Sequence, residues 1–535
     1  MMPISVLIIF IIAGLAAITN VVAEFGRVLM MMQQNSYRTE RYMRWLRSSG
    51  DTTSYPRLVG MMAFFASMAT FSEPVWGAVL IAVFSCGSAI VLFGKKYKKP
   101  IVWTPRVRRI FIVMAVLAAI IVAGAFMWGF WGNNGTASGL FYSVVALMGI
   151  FCASHILVLT AVRILAPVER RINRRYYDEA ADILASMPSL KVVGVTGSYG
   201  KTSTKHFLYR ILCEHFETLM TPGSFNTTLG VIRTVREMMK PYCEVFICEM
   251  GAKQCGDIKE ICDLVHPHVG IVTAVGPQHL ESFKTIENVQ ATKFELVDAL
   301  PADGMAIVNN DFPAIADRKV DNVECIRYGV KSENVDYRAV DVVYSVSGTD
   351  FTVAGPEMNE RFHTPLLGEC NVSNLVAAIV CALKLGVPVN KIRQAVERIE
   401  PVEHRLSMKR TSGGITILDD AFNSNPSGSA MALDVLAMLQ TGRRIIITPG
   451  MIELGDQQYE LNRRFGEGIA ASADIAIVVG QYNREAIIEG IASASRKDIK
   501  IMEAPTFSDA QRILMSLARS GDVVLYENDL PDTFK

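Results

Sequence analysis

An N-terminal α-helical transmembrane domain, then a P-loop-like central α/β domain with a mostly parallel sheet and a C-terminal Rossmann-like α/β domain, is the fold this sequence predicts. Three observations carry that expectation. All five tryptophans (Trp45, Trp76, Trp103, Trp128 and Trp131) and the long apolar runs lie in the first quarter of the 535 residues. Beyond residue 190, short β-branched runs alternate with helical runs, the pattern of a doubly wound sheet. Residues 192–205 read V-V-G-V-T-G-S-Y-G-K-T-S-T-K: an apolar strand, a Gly-rich turn and a Lys-Thr pair opening a helix. A chain this long exceeds one core. The expected divisions are 1–165 for the membrane domain, 166–190 for a juxtamembrane amphipathic linker helix, 191–405 for the central domain and 406–535 for the C-terminal one.

In the first division, residues 4–22 form an uncharged apolar run long enough to span a bilayer. It lacks a basic n-region and is followed by Glu24 and Arg27, so it reads as an anchor and not as a signal peptide. Residues 58–94 are apolar except at Ser72-Glu73-Pro74, which reads as a turn; the first arm is short for a full span, so this unit fits a re-entrant hairpin. Residues 110–131 and 140–162 give two further spans around the polar turn at Asn133 and Asn134. Basic residues cluster at 38–57, at 95–109 and after 163, while the turns at Glu73 and at 133–138 carry no Lys or Arg. The positive-inside rule then puts the N-terminus outside, about five helices in the membrane and everything after residue 165 in the cytoplasm. His155 is the ionisable side chain well inside a span, with no evident partner in the sequence, so an ion or proton pathway has little support. The expected localisation is a multi-pass inner or plasma membrane protein in contact with membrane lipid.

Strands are expected at 243–249, ending in Glu249, at 268–274, before Gly276-Pro277-Gln278-His279, and at 305–308. Residues 311–365 are less regular, and 371–385 read as a helix of small residues. A second alternating section has strands at 415–418, 444–448, 475–479 and 523–526, with helices at 428–439 and 462–471. In open parallel sheets ligands bind at the carboxyl ends of the strands, which singles out Glu249 and His279.

The net charge of +1 creates no field that would draw in nucleic acid, and none is expected as a partner. The ten cysteines show no Cys-x-x-Cys pair, so reduced thiols fit better than a disulfide framework or a metal cluster.

The 192–205 segment has the parts a nucleoside triphosphate needs. Backbone N–H groups of a Gly-rich turn wrap phosphates, a helix N-terminus adds favourable partial charge, a Lys reaches the β/γ oxygens, and the next hydroxyl ligates Mg²⁺. The strict P-loop spacing fails at one position, where Val195 stands in place of Gly.

Nine spaced motifs extend the pattern: T-G-S-Y-G-K-T-S-T-K at 196–205, S-F-N-T-T-L-G-V at 224–231, C-E-M-G at 248–251, V-G-P-Q-H-L-E-S-F at 275–283, A-T-K-F-E-L at 291–296, L-G-E-C-N-V-S-N-L-V-A-A at 367–378, H-R at 404–405, D-D-A-F-N-S-N-P at 419–426 and P-G-M-I-E-L-G at 449–455. In this order and spacing the chain resembles the Mur ligases, ATP-dependent amide-forming enzymes of cell-wall peptidoglycan synthesis, in their D-alanyl-D-alanine-adding (MurF-like) branch. The resemblance implies that a peptide carboxylate is activated as an acyl phosphate and joined to an amine, with ATP and two Mg²⁺ as cofactors. It implies that Gly197, Ser198, Gly200, Lys201, Thr202 and Ser203 hold the triphosphate, and that Asn371, Asn374, Arg405 and Asp420 complete the nucleotide site. Thr202, Glu249, His279 and a carbamylated Lys293 would hold metal; Lys201, His279, Lys293 and Asp420 would be catalytic. Asn226, Thr227, Asn423 and Asn425 would line the substrate.

Read from chemistry alone, His279 is an odd Mg²⁺ ligand whose structural alternative is a loop cap, Lys293 reads as a solvated helix charge, and Asp419 and Asp420 have the alternative of capping the following helix. Two departures from the family matter. Membrane helices stand where the UDP-sugar-gripping domain would be, so the donor is UDP-linked or lipid-linked. The chain also ends its last strand in the acidic Tyr526-Glu527-Asn528-Asp529 run, where the family has a Lys-Gly-Ser type segment, leaving an amino acid or D-Ala-D-Ala as acceptor. A poly-γ-glutamate-type ligase is the alternative within enzymes. An ATP-driven transporter or regulatory NTPase is the alternative outside that class, but it needs paired ionisable residues within the spans.

The topology is checked by reporter fusions: those after Arg57, Lys99 and Arg175 should read cytoplasmic and one at Asn134 external. A cytoplasmic reading at Asn134 overturns the five-helix arrangement.

Overall fold

A computed structural model describes residues 3–528 apart from 71–72, 96, 98, 133–134, 278–279, 346–347, 403–404, 422–424, 440 and 497. The chain divides into two compact units between Arg174 and Arg175.

The first unit is helical: α1 (Ile4–Gln34), α2 (Thr39–Ser49), α3 (Tyr55–Ala69), α4 (Pro74–Gly94), α5 (Pro105–Gly132), α6 (Thr136–Cys152) and the start of α7 (Ser154–Ala185). Of these, α1, α4 and α5 are each long and apolar enough to cross a membrane. At 15 residues α3 spans about 22 Å, short of a ~30 Å hydrocarbon core. Helix α1 packs on α4 and α6, and α5 packs on α6.

The expected span at 140–162 is broken. The chain bends by 77° between α6 and α7. The cause is a side chain: Arg57 donates to the carbonyl of Cys152 at 2.9 Å, capping the end of α6. Around this elbow lies a polar cluster that the sequence did not reveal. Glu24, 1% exposed, takes hydrogen bonds from Arg27 (2.8 Å), from Ser154 Oγ (2.9 Å) and from Arg57. Arg27 in turn grips Asp51 with two bonds of 2.7 and 2.9 Å. His155, expected to stand alone, sits between Tyr42 OH (2.7 Å) and Asp51 Oδ2 (2.9 Å). Its partners lie more than a hundred positions away in sequence, which is why no local pattern showed them. Paired ionisable groups are thus present in this unit. Two carboxylates meet two guanidiniums and hydrogen bonds close the set, so the cluster is built as a lock on the elbow.

The second unit carries two sheets. Its strands are β1 (Lys191–Thr196), β2 (Thr218–Met220), β3 (Val245–Glu249), β4 (Val269–Val272), β5 (Met305–Asn309), β6 (Glu324–Gly329), β7 (Tyr337–Ser345), β8 (Gly348–Gly355), β9 (Met358–Thr364), β10 (Ser407–Arg410), β11 (Thr416–Asp420), β12 (Arg444–Thr448), β13 (Ile475–Val479), β14 (Lys500–Ala504) and β15 (Val523–Glu527). The first sheet runs β2-β3-β1-β4-β5-β6-β7-β8-β9, parallel from β2 to β7 and antiparallel from β7 to β9. The second runs β10-β11-β15-β12-β13-β14, parallel except for β10. The stretch 311–365, irregular in sequence, contains the β7–β9 meander; β7 is buried only at Tyr337 and Ala339 and half-buried or exposed from Val340 on, so polar residues interrupt its apolar pattern.

Strand β1 alternates its side chains between two cores. Val193 and Val195 pack with Phe207, Leu375 and Ile379, while Val192 packs with Phe246, Phe294 and Leu296. The helix Glu369–Lys384 therefore covers one face of the sheet and the helix Ile286–Asp298 the other. Candidate residues on both helices are brought toward the end of one strand.

Arg57→Ala leaves Glu24 buried without its strongest partner and should cost about 3–5 kcal/mol, read as a lowered thermal midpoint in detergent. Arg175→Ala, which removes an exposed pair with Glu179, should shift stability by under about 1 kcal/mol. Equal effects would mean that the elbow cluster is not a lock.

Candidate functional site

The Gly-rich turn leaves β1 at Thr196 and enters α8 (Lys201–Leu212). Two glycines are required by contact. Gly197 has φ +150° and a Cβ there would fall 2.2 Å from Thr273 Oγ1; Gly200 has φ +78° and a Cβ there would fall 2.3 Å from Asn374 Oδ1. The turn is also stitched to the 274–277 segment. Ser198 N donates to Ala274 O at 2.7 Å, Gly276 N to Ser198 Oγ at 3.1 Å, and Tyr199 OH to Pro277 O at 3.1 Å. Ser198 thus uses its N–H and its hydroxyl within the turn. Ser203 is buried in the first turn of α8.

Lys201 folds back on the turn, donating to the carbonyls of Gly197 (2.6 Å) and Ser198 (3.1 Å). Burial lowers its pKa to about 8, against the pull of Glu249. Glu249, at the end of β3, is 1% exposed. Its Oε1 accepts from Thr202 Oγ1 at 3.1 Å and from Asn226 Nδ2 at 3.0 Å. Lys205, fully buried, stands 2.9 Å from Oε2 as an ion pair. Burial alone would raise the Glu249 pKa, but Lys205 and Lys201 hold it below the ordinary carboxylate range. Lys205 is the member of this group to which the sequence assigned no role, although it closes the T-S-T-K motif.

Lys293 does not carry a solvated charge. It is 1% exposed on the Ile286–Asp298 helix, its Nζ lies 5.9 Å from the Phe283 ring centroid, and no hydrogen bond or ion pair joins it among the described residues. Burial, then the nearby Lys201 charge, push its pKa well below the usual lysine value.

Across the sheet, Asn374 Oδ1 accepts from Thr204 Oγ1 at 3.1 Å and so braces α8, while Asn371 Nδ2 donates to Leu367 O at 2.8 Å. Arg405, half-buried, lies in the field of the carboxylates of Asp420 and Glu249. Burial pushes Asp420 up to about 6 despite Arg405, and Asp420 Oδ1 accepts from Leu406 N at 3.0 Å. Opposite Asp420 in the β11–β15 register is Glu527, buried, with Oε1 accepting from Ser429 Oγ at 2.7 Å.

Two expected substrate residues are helix N-caps. Thr227 Oγ1 accepts from Gly230 N at 3.3 Å, and Asn425 Oδ1 accepts from Gly428 N at 2.9 Å. His279 and Asn423 lie outside the described residues. A cavity of about 610 Å³ opens beside Thr202, lined by His206 and Arg210 of α8 and by Gly223, Ser224, Glu400 and Arg405. Burial and the neighbouring Lys205 lower the His206 pKa to about 4, so its ring is neutral at physiological pH.

Residues 195–382 match the family model of the Mur ligase middle domain, and residues 404–526 that of the Mur ligase, glutamate ligase domain. The chain is 30% identical over 319 residues to the UDP-N-acetylmuramoyl-tripeptide–D-alanyl-D-alanine ligase of Escherichia coli, a match covering 58% of this chain and 69% of that one. To the enzyme of the same name from Bacillus subtilis it is 28% identical over 339 residues, covering 63% and 72%. Among solved structures, MurF ligase from Thermotoga maritima in complex with ADP superposes with a TM-score of 0.60 at 25% identity, over 66% of this chain and 80% of that one.

If Lys201 meets a polyphosphate, the anion should restore its pKa toward 10.5, so binding takes up a proton above about pH 8 and almost none well below it. ADP-binding calorimetry in two buffers of different ionisation enthalpy measures this. No uptake near pH 9, about midway between the two values, would remove Lys201 from the phosphates.

Proposed function

We propose that this chain, which belongs to the Mur ligase family, is a membrane-anchored, ADP-forming amide ligase of peptidoglycan-precursor synthesis that resembles the UDP-N-acetylmuramoyl-tripeptide–D-alanyl-D-alanine ligases. The observation that carries the reading is the convergence of Lys201, Thr202 and Asn226 on the turn and carboxylate at the ends of β1 and β3. In this reading the donor carboxylate attacks the γ-phosphate of ATP, and the acceptor amine displaces phosphate from the acyl phosphate. Catalysis is then mostly positioning and charge stabilisation. The turn and Lys201 hold the phosphates. Thr202 and Glu249 offer the hard oxygen atoms that Mg²⁺ prefers, and a carboxylate oxygen that meets one ammonium keeps a lone pair for a metal. Bound there, Mg²⁺ would neutralise charge on the phosphates. Arg405 and Asp420 contact the nucleotide from the hinge and the C-terminal sheet, and closure of that sheet completes the site. The cavity beside Thr202 gives the donor its approach.

Lys293 is proposed to act as a carbamate. Its amine, kept neutral by burial, is the form that attacks CO₂; a C–N bond forms, one proton leaves and a carboxylate remains. An ammonium beside divalent metal would be repelled by a few kcal/mol even at an effective dielectric of about 20. The three long apolar helices support membrane anchoring, with the catalytic unit on the cytoplasmic side and a donor that is lipid-linked or UDP-linked.

Phosphate release by the purified full-length protein tests the function, with UDP-linked and lipid-linked muramyl peptides each offered D-Ala-D-Ala or single amino acids. Release that requires both donor and amine is expected; no release with any pair refutes the ligase reading. Lys293→Ala should lose on the order of 10²-fold or more in turnover, regain part of it with acetate, and wild type should slow in CO₂-depleted buffer. Near-normal turnover of Lys293→Ala would rule out the carbamate.

A further inference from the structure

Lys205 is fully buried, and the roles above leave it unused. It lies one turn along α8 from Lys201, yet it does not face the turn. Its ammonium reaches Glu249 Oε2 at 2.9 Å and donates to Gly223 O at 2.6 Å. The opposite oxygen of Glu249 is held by Thr202 and Asn226. Glu249 is therefore surrounded by cationic or neutral donors before any metal arrives. Around it, and anywhere else among the described residues, no three His, Cys, Asp or Glu side chains converge in a way that could hold a metal ion.

We propose that Lys205 is a resident counter-cation of the metal seat, which keeps divalent metal off the empty protein and admits it only in company with a polyphosphate. The argument is one of charge. Glu249 is the carboxylate proposed to meet the metal, and Lys205 already balances it at contact distance. A divalent ion arriving alone would find a near-neutral seat with a fixed positive charge behind it. The phosphate oxygens of a nucleotide change that balance and add the missing ligands. Lys205 also ties Glu249 to the Gly223 segment, which fixes the direction in which the carboxylate points. It is a positioning residue, since it touches neither substrate nor reacting atoms. The inference rests on the nucleotide-dependent ligase reading.

Mn²⁺ uptake by the full-length protein, followed by the electron paramagnetic resonance signal of free Mn²⁺ with and without ADP, tests it. Wild type should take up Mn²⁺ stoichiometrically with ADP, beyond what a protein-free ADP control binds, and at least about tenfold more weakly without it; one unit charge ~5 Å from a divalent ion is worth about that factor even with water-like screening, which sets the gain expected when Lys205 is removed. Lys205→Met should gain a comparable factor in Mn²⁺ affinity without ADP at about pH 8, where a carboxyl is ionised, and Lys205→Arg should behave as wild type. Equal uptake by wild type with and without ADP overturns the proposal, and that arm decides even if Lys205→Met does not fold. A folded Lys205→Met with no gain overturns it as well. No uptake in either condition would instead refute the nucleotide reading on which it stands, and the proposal with it.

Discussion

A carboxylate buried at the end of a β-strand has to be neutralised, and the way Glu249 is neutralised organises the catalytic half of this protein. Leaving one such group unpaired would cost several kcal/mol. Two chain segments answer that demand at once: α8, through Thr202, Lys205 and the field of Lys201, and the loop after β2, through Asn226. The Gly-rich turn is thereby pinned at its helical end. At its other end it is pinned by bonds to the 274–277 segment. A turn fixed on both sides holds its backbone in place for an anion, although Ser198 N–H is already given to Ala274 O and Lys201 must swing off the carbonyls of Gly197 and Ser198.

The two-faced packing of β1 does the rest. Because successive side chains of a strand point to opposite faces, one strand seats both the helix that carries Lys293 and the helix that carries Asn374. Two residues some eighty positions apart, on opposite sides of a sheet, are thus held near the end of a single strand. The second sheet adds Asp420, whose carboxylate holds the N–H of Leu406 immediately after Arg405. The hinge and the strand end are joined by that bond.

Much of this was legible in the chain. The strands at Arg444–Thr448 and Ile475–Val479 fall where apolar β-branched runs placed them, and Lys201 opens its helix as the Lys-Thr pair predicts. What escaped has a common cause: it depends on partners distant in sequence. His155 gains Tyr42 and Asp51 only when α7 meets α2 and the short turn that follows it, and Arg57 meets the break in the 140–162 run by capping a carbonyl nearly a hundred positions away. Lys293 looks like a surface lysine until its helix docks on the sheet through Phe294 and Leu296 and Phe283 comes beside it. The β7–β9 meander is half-exposed, and half-exposed strands carry the charges that make a segment read as irregular.

The two capping residues carry a consequence for genetics. Thr227 and Asn425 each hold the first turn of a helix with a side-chain oxygen. Selection at these codons therefore acts at least on the helix start, and tolerance should follow capping ability: Ser or Asp in place of Thr or Asn keeps the helix start, whereas Ala removes it. A loss-of-function allele at either position does not by itself identify a substrate contact, because the same change frays the scaffold beneath it.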